Sequence, residues 1–427
     1  MSAKTTKRDE GSRIPPLIRR NTIYFALTQA LQQAEGQLSI TFGAIMVTRL
    51  LGSASLAGIG GSLLSLSRFL VAYPTGKLTD AYGRRAGMVI GLILGIIGGI
   101  MLGGSLVVSS FPLFLVGIVF LGLGWGAGQQ LRVAAVDMYP PARRAEGLGY
   151  VLSGSVAGAF VAPVIIAIAE ALGRRTGSDP VSLSWFLMPA VLLPAIALTL
   201  MVRPDPKAIA ANLERFWPSY EPPAPTEASQ LKVRGDLRTF IRDKPKQVAY
   251  IAYATAQGTM TMMMTMTPLV MSHEGHDLAA ISLAVSIHVV GMYLFSVFLG
   301  RLADRIGRKP LLWGGMAAQA IGAFMVPISP LYWIATLGLF LVGVGWSAIN
   351  VSATTIIADT SEPEERGRAI GANDAFAGAW GILTPLAGGF VAAAAGMTAV
   401  GIAGMVMALL PLLILGRLRE VRPGHYE

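Results

Sequence analysis

The stretch GKLTDAYGRR at Gly76–Arg85 returns later in the chain as GRLADRIGRK at Gly300–Lys309. Both copies follow the pattern G-x-L-x-D-x-x-G-R-[RK], and their first glycines are 224 positions apart. Each copy lies between two long apolar stretches, at matching places in the two halves of the chain. A duplicated bundle of membrane helices explains this arrangement better than a soluble fold does.

Composition also indicates a membrane protein. Apolar residues make up 53% of the chain and charged residues only 14%, whereas about a quarter of a soluble domain is charged. Twelve apolar runs are long enough, at about 20 residues, to cross a hydrocarbon core of about 30 Å. Since only helices satisfy their own backbone in lipid at that length, we expect an all-α integral membrane protein. The predicted spans are 22–50, 54–76, 86–109, 112–138, 146–171, 182–202, 246–271, 278–300, 310–329, 331–358, 368–394 and 396–416.

Lys and Arg are distributed very unevenly between the two sides of this bundle. With the N-terminus in the cytoplasm, 29 of the 34 basic residues fall in the tails and loops on that side. Only Arg49, Arg174 and Arg175 fall on the other side, while Arg68 and Arg132 lie within spans. The positive-inside rule therefore predicts cytoplasmic termini and a place in the cell membrane. The net charge of +10 reflects topology and implies no nucleic acid.

The loop pattern resembles the signature of the major facilitator superfamily, which lies between the second and third helices and echoes between the eighth and ninth. Two other pairs repeat at nearly the same offset: Ala34–Gly36 aligns with Ala256–Gly258, and Gly124-Trp125 aligns with Gly345-Trp346. The resemblance covers residues 22–418. It implies twelve transmembrane helices in two pseudo-symmetric six-helix bundles.

The predicted organisation is a cytoplasmic tail at 1–21, a bundle at 22–202, a linker at 203–245, a second bundle at 246–418 and a tail at 419–427. Within the linker, Glu221–Ser229 is Pro-rich and expected to be extended. Its flanks, Pro206–Trp217 and Leu231–Ile241, place apolar residues at helical spacing among Lys and Arg. These flanks are interpreted either as short helices on the cytoplasmic lipid surface or as a solvated tether.

The glycines of the repeated loop predict close packing and a turn. Gly76 and Gly300 remove side-chain bulk where two helices approach each other. Gly83 and Gly307 permit the tight turn that follows. We therefore assign all four to a gate at the cytoplasmic side.

The charged residues of the loop extend this gate. Asp80 and Asp304 lie at the predicted rim, where a carboxylate accepts hydrogen bonds from the N-terminus of a neighbouring helix. The family resemblance implies latches from the second helix to the eleventh and from the eighth to the fifth when the cytoplasmic side is closed. The receiving helices would start near Arg368 and Glu146. The alternative is that the loop charges serve topology alone.

Basic residues of the loop also have expected partners. Any of these basic residues can pair with a nearby acid: Arg84, Arg85, Arg308 and Lys309. Asp137 and Asp359 are the expected acids, because they end the fourth and tenth spans. Such pairs would fix each loop to the helix beside it.

Glu35 is the candidate proton-coupling residue. It lies about 12 residues into the first span, or about 18 Å, near the bilayer middle. With Gln29, Gln32 and Ser39 it forms one polar stripe, which we expect to face a cavity. A desolvated carboxylate can bind and release a proton, and many proton-coupled exporters of the resembled family carry an acid in this helix. The alternatives are binding of a substrate cation and a static salt bridge to Arg68.

Two arginines and one aspartate within the spans carry a second hypothesis. Arg68 and Arg132 lie about 12 Å from the cytoplasmic end, and Asp374 lies at comparable depth in the other half. An ion pair between the halves would close the cytoplasmic side and break on inward opening. The equally weighted alternative is that both arginines bind a substrate carboxylate or phosphate.

The remaining candidates for substrate binding are polar residues of the seventh and eighth spans. Gln257 and Thr261 belong to a polar stripe in the seventh, and Gln32 belongs to the polar stripe of the first. His288 could titrate near neutrality, although a hydrogen-bonded neutral histidine is the commoner case. The methionines of the seventh span suit a cavity for apolar ligands or serve as packing: Met260, Met262, Met263, Met264 and Met266.

The fifth span points toward efflux. Gly149, Gly154 and Gly158 precede Pro163, which resembles the Gly-Pro motif of the superfamily's antiporters. Ala162 stands where glycine usually precedes that proline, so the match is partial.

The sequence as a whole predicts a monomeric secondary transporter that exports a small amphipathic compound in exchange for protons. No phosphate-binding loop, metal site or nucleophile–base pair is visible, so we expect a proton gradient as drive, no cofactor, no metal and no enzyme activity. The partners expected are the substrate and the lipid bilayer. One alternative is a carrier of an organic anion held by Arg68 and Arg132. The alternative from another class is a non-transporting receptor or scaffold.

Overall fold

The computed structural model describes residues 14–53, 55–128, 130–140, 143–218, 220, 243–361 and 366–416, and every regular element in these ranges is a helix. In chain order the helices are α1 (Pro16–Leu51), α2 (Ile59–Tyr82), α3 (Arg84–Val107), α4 (Phe111–Gly128), α5 (Gln130–Asp137), α6 (Arg144–Gly158), α7 (Val161–Thr176), α8 (Pro180–Phe186), α9 (Met188–Met201), α10 (Pro206–Ala210), α11 (Leu213–Phe216), α12 (Lys244–His273), α13 (Leu278–Tyr293), α14 (Ser296–Ile306), α15 (Arg308–Ile328), α16 (Tyr332–Asp359), α17 (Arg366–Leu409) and α18 (Leu412–Leu415).

Seven helical stretches of the described chain are long and apolar enough to cross a membrane. The last of them, Ala369–Leu415, has 47 residues and contains Gly396 in a non-helical conformation (φ 80°). At about 1.5 Å per residue this length suffices for two crossings, one on each side of the kink. The all-α prediction is confirmed, whereas the count of twelve crossings stays a prediction.

The predicted spans outside these seven stretches are the first, second, seventh and eighth. Their helices, α1, α2, α12 and α13–α14, are less apolar because they carry the polar candidate residues. These same helices make the contacts between the halves: α1 packs against α12 and α13, and α2 packs against α17. Polarity is thus concentrated where the two halves meet.

The first helix begins earlier than predicted. It starts at Pro16, inside the segment 1–21 that the sequence assigns to a tail. Proline is tolerated in the first helical turn because the amide hydrogen it lacks would have no partner there. Ile18 and Phe25 are fully buried in the core of the N-terminal half, and this burial stabilises the extra turns.

The two halves pack in the same way internally. In the N-terminal half α3 packs against α4, and in the C-terminal half α15 packs against α16. Backbones approach closely at equivalent glycines: Gly91 meets Gly124, and Gly315 meets Gly345. Small residues permit this approach, as is typical of membrane helices. The repeat seen in the sequence is therefore also a structural repeat.

The halves touch at one end of the bundle and separate at the other. We call the end with Gly83 and Gly307 the motif end, and the other the opposite end. At the opposite end Gly58 lies so close to Pro385 of α17 that a Cβ would overlap its carbonyl group, and Gly61 lies beside Thr265.

At the motif end the glycines of the facing helices make no such contact. A Cβ added at Gly76 of α2, Gly371 of α17, Gly149 of α6 or Gly300 of α14 would meet no other atom within 4 Å. The close approach predicted for Gly76 and Gly300 is thus not made in this conformation, which is open at the motif end.

The two copies of the loop have the predicted turn and ion pairs. Gly83 and Gly307 have φ values of 93° and 97°, a region that favours glycine. Arg84 Nε lies 2.8 Å from Asp137 Oδ2, and Arg308 Nε lies 3.3 Å from Asp359 Oδ2. Both expected acids are paired with an arginine of the loop.

The predicted latches themselves fall outside what is described. The side chains of Asp80, Asp304 and Arg368 are not among the described residues. Glu146, near the start of α6, pairs with Arg143 at 2.7 Å. The latches therefore stay predictions.

The first flank of the linker forms two short helices that pack on the N-terminal half. Ile209, Leu213 and Trp217 are buried against the N-terminal half, in a cluster with Leu131 and Tyr139. The apolar residues of this flank therefore face the N-terminal half, and its position relative to lipid stays a prediction. The other flank, Leu231–Ile241, lies outside the described residues.

Candidate functional site

Glu35 lies in the interior of the N-terminal half. Its side chain is fully buried, and neither carboxylate oxygen has a hydrogen-bond partner among the described residues. The carboxylate fits against Gly95 of α3, where a Cβ would lie 2.9 Å from Oε2 and overlap Oε1. The prediction that Glu35 faces a cavity is wrong for this conformation, because α3 covers it. The alternative salt bridge to Arg68 is also absent.

The rest of the stripe faces the same interior. Gln29 Nε2 donates to Ser155 Oγ of α6 at 2.9 Å. Gln32 lies against α4, where a Cβ on Gly128 would overlap its amide group. Helical periodicity placed these residues on one face correctly, but it could not tell which neighbour that face meets.

In the C-terminal half, the positions equivalent to Glu35 and Gly95 have side-chain amides. Gln257 aligns with Glu35 and accepts a hydrogen bond from Trp346 Nε1 at 2.9 Å. Gln319 lies 224 positions after Gly95, and its Nε2 donates to Ala256 O at 2.9 Å. Only the N-terminal half therefore keeps an ionisable group at this position of the repeat.

Arg68 lies where the two halves face each other. Its guanidinium carbon is 4.2 Å from the centroid of the Trp125 ring, a cation–π distance. The Trp125 ring in turn packs against Gly36 of α1. No acidic side chain of the described chain lies within ion-pair distance of Arg68.

Arg132 and Asp374 are both exposed and lie within electrostatic range of each other. No ion pair joins them in the described part of the structure. Their helices, α5 and α17, are apart at the motif end. The predicted gate between them therefore stays a prediction.

Three aromatic residues of the C-terminal half complete this region. Tyr253 and Tyr293 lie 6.1 and 6.5 Å from Trp346, centroid to centroid. The hydroxyl groups of both tyrosines are within electrostatic range of Arg68. Sequence reasoning missed these residues as site candidates. The repeated Gly-Trp dipeptides were the available signal, since they mark Trp125 and Trp346 as equivalent.

Two other candidates lie away from this region. His288 is fully buried, and its Nδ1 is 2.6 Å from the Leu339 carbonyl oxygen of α16. It is therefore a hydrogen-bonded packing residue here, and substrate cannot reach it in this conformation. Thr261 bonds within the C-terminal half, to Thr384 Oγ1 at 3.1 Å. Most of the methionines of α12 are buried in core clusters and serve as packing: Met262, Met263, Met264 and Met266.

A polar joint holds the halves together toward the opposite end. Gln37 of α1 donates to Ser282 O at 3.0 Å and to Ser286 Oγ at 2.6 Å, both on α13. Ser286 Oγ donates in turn to Ala159 O at 2.6 Å. Buried and hydrogen-bonded, this joint lies on the closed side of the gap that Arg68 and Arg132 face.

Proteins of similar sequence are membrane transporters. The uncharacterized MFS-type transporter YddS of Bacillus subtilis is 28% identical over 378 residues, which are 87% of this chain and 84% of that protein. The riboflavin transporter RfnT of Brucella anthropi is 27% identical over 83% of this chain and 85% of its own length. The class C tetracycline resistance protein of Escherichia coli is 29% identical over 26% of this chain and 27% of its own length.

Solved structures give the same fold. A bacterial homolog of the human lysosomal transporter Spinster, in an inward-facing and unoccupied conformation, superposes with a TM-score of 0.69 at 15% identity, over 94% of this chain and 95% of that one. The inward-open xylose transporter XylE from E. coli also gives 0.69, at 15% identity, over 95% of this chain and 98% of its own. The model of the Major Facilitator Superfamily matches residues 22–247 and 249–426, and the chain therefore belongs to that superfamily of transporters.

Proposed function

We propose that this protein is a proton-coupled exporter of small amphipathic organic compounds, with Glu35 as the proton carrier. The observation that carries the proposal is the fully buried carboxyl group of Glu35, which has no hydrogen-bond partner among the described residues. An unpaired ionised carboxylate in apolar surroundings costs several kcal/mol, so the group is held as the neutral acid. It releases its proton only when a conformational change brings water or a partner to it.

Alternating access supplies that change. The halves touch at the opposite end and are apart at the motif end, and α1, which carries Glu35, packs against both α12 and α13 of the other half. Rocking of one half against the other would repack α1 and change the surroundings of Glu35. Proton release and substrate access are then coupled through one helix.

The export of amphipathic compounds draws support from relatives. One relative transports riboflavin by its name, and another confers tetracycline resistance. Gly154 and Gly158 hold α6 against α1, since a Cβ at either would overlap the backbone of Ala26 or Ala30. The glycines that resemble the antiporter motif thus act directly on the helix that carries Glu35.

The orientation proposed has both termini in the cytoplasm of a monomeric cell-membrane protein without a cofactor, and the motif end faces inward. The support is the excess of basic residues at that end. A protease-sensitive tag at the C-terminus should be protected in intact cells and cleaved in inverted vesicles.

Substrate-driven proton movement tests the proposal. In proteoliposomes with an internal pH dye, riboflavin or tetracycline added to the wild type should move protons. Glu35→Gln keeps the shape of the side chain but removes its ionisable group, so it should abolish this proton flux. The matched control is Glu170→Gln, a carboxylate near the outer end of α7, which should retain it. Full flux in Glu35→Gln would remove Glu35 from the coupling role, and failure of the wild type to transport any solute would favour a receptor or scaffold.

Carriage of an organic anion is the second candidate. It is favoured by Arg68, which has no acidic partner within ion-pair distance in the described chain. Arginine stays charged even when buried, so its position facing the gap suits an anionic ligand.

A further inference from the structure

Arg68 and four aromatic side chains lie near the place where the two halves face each other. We call Arg68, Trp125, Tyr253, Tyr293 and Trp346 the arginine–aromatic cluster. Arg68 and Trp125 come from the N-terminal half, and the other three from the C-terminal half. Four of the five are partly exposed, and Trp346 beneath them is 8% exposed.

The aromatic rings are held in place by contacts with other protein groups. Trp346 donates to Gln257 at 2.9 Å, and the two tyrosine rings pack tilted or edge-on against it. In the other half the ring of Trp125 packs against Gly36. The rings are thus fixed before any ligand arrives, which lowers the entropy lost on binding.

Arg68 has a charge that this environment leaves uncompensated. Glu35, the nearest acid expected from the sequence, is turned toward Gly95 instead. Asp374 lies within electrostatic range of Arg132 and Tyr253 rather than of Arg68. The guanidinium carbon lies 4.2 Å from the Trp125 ring centroid, and no described residue forms a hydrogen bond or ion pair with Arg68, so its N–H groups can meet an anion.

We propose that the arginine–aromatic cluster binds a planar aromatic compound that carries an anionic group, with the ring against the aromatic side chains and the anion on Arg68. This assignment rests on the proposed transport function and narrows its substrate class. Tryptophan and tyrosine faces bind flat rings by stacking. The guanidinium group adds a bidentate contact with a carboxylate, which a neutral compound cannot make.

The proposed ligand needs both an aromatic ring and an anionic group, and three probes of nearly the same size test the two separately. 2-Naphthoate has the ring and the charge, 2-naphthamide has the ring alone, and decahydronaphthalene-2-carboxylate has the charge alone. Calorimetric titration of the protein in lipid nanodiscs should show 2-naphthoate binding at least ~10-fold tighter than either of the others. Equal affinities, or no binding of 2-naphthoate, would overturn the assignment.

Variants locate the two contacts. Arg68→Gln should erase the preference for 2-naphthoate over the amide, and Arg68→Lys should retain part of it. Trp125→Leu should erase the preference for 2-naphthoate over the saturated acid. Arg305→Gln, an exposed arginine of α14, is the control and should change neither ratio. An equal effect of Arg305→Gln, or unchanged ratios in Arg68→Gln, would contradict the proposal.

The binding assay uses no gradient, so its outcome is independent of proton coupling. Selective binding of 2-naphthoate without proton flux would reject Glu35 coupling and leave the cluster intact. Proton-coupled transport of neutral amphiphiles, with no preference among the probes, would reject the cluster as an anion site and leave Glu35 coupling intact.

Discussion

At the scale of single residues, the contact between Glu35 and Gly95 is the most informative. A buried carboxyl group without a partner is tolerated because Gly95 leaves room for it. In the C-terminal half, Gln319 and Gln257 fill the equivalent space with hydrogen-bonded amides. The backbone is therefore similar in the two halves, and the side chains at this position differ: an acid in the N-terminal half and amides in the C-terminal half.

This contact makes a prediction about stability. Gly95→Ala should destabilise the protein by about 1–3 kcal/mol, because the new methyl group overlaps the Glu35 carboxylate. Adding Glu35→Ala should restore most of the loss, since the two sites are in contact. Gly104→Ala on the same helix is the control, because its Cβ would make only an ordinary 3.8 Å contact with Leu113. Thermal unfolding in detergent measures all four proteins, and equal effects of the two glycine substitutions would refute the contact.

At the scale of elements, the first flank of the linker is part of the N-terminal half. Asp205 accepts hydrogen bonds from the backbone amides of Arg84 and Arg85 at 3.1 Å each, and so caps α3. Trp217 donates to Met138 O at 2.9 Å and lies 4.9 Å from the Arg143 guanidinium. Asp205, just before the flank, thus caps the start of α3, and Trp217 of the flank holds the turn before α6.

Removing the tryptophan tests this role. Trp217→Ala should cost about 3–5 kcal/mol, the usual loss for a buried tryptophan, because the side chain is only 2% exposed. Trp313→Ala should cost less than about 0.5 kcal/mol, since Trp313 is 57% exposed. Similar unfolding temperatures for the two variants would show that the flank does not contribute to stability.

At the scale of the whole molecule, the structure has one end closed and the other open. Gly76 and Gly371 lie on α2 and α17, and Gly300 and Gly149 lie on α14 and α6. At the opposite end α2 already meets α17, and α6 meets α13, the helix before α14, so the motif ends of these helices must approach when the gap closes. The four glycines have no packing role in the open state, which is expected if their contacts form only in the closed one.

Substituting one of them should separate folding from transport. Gly76→Leu should leave the unfolding temperature and ligand binding unchanged, because the space around it is open here. Turnover in proteoliposomes should fall about tenfold or more, since ~1.4 kcal/mol of strain in the closed state is a factor of ten. Gly314→Leu also enters open space, on α15, which lies outside these pairs, and should transport normally. Full turnover of Gly76→Leu would contradict a close approach at this site.

The sequence by itself determined the all-helical membrane fold, its duplication, and the turn and ion pairs of the repeated loop. These depend on local patterns: the length of the apolar runs, glycines at the two positions with positive φ (Gly83 and Gly307), and acids at the ends of neighbouring spans. Only the tertiary structure decided that Glu35 faces α3, that Trp217 packs against the N-terminal half, and that Tyr253 and Tyr293 pack against Trp346. Periodicity defines a face of a helix, but the packing of distant segments decides what that face meets.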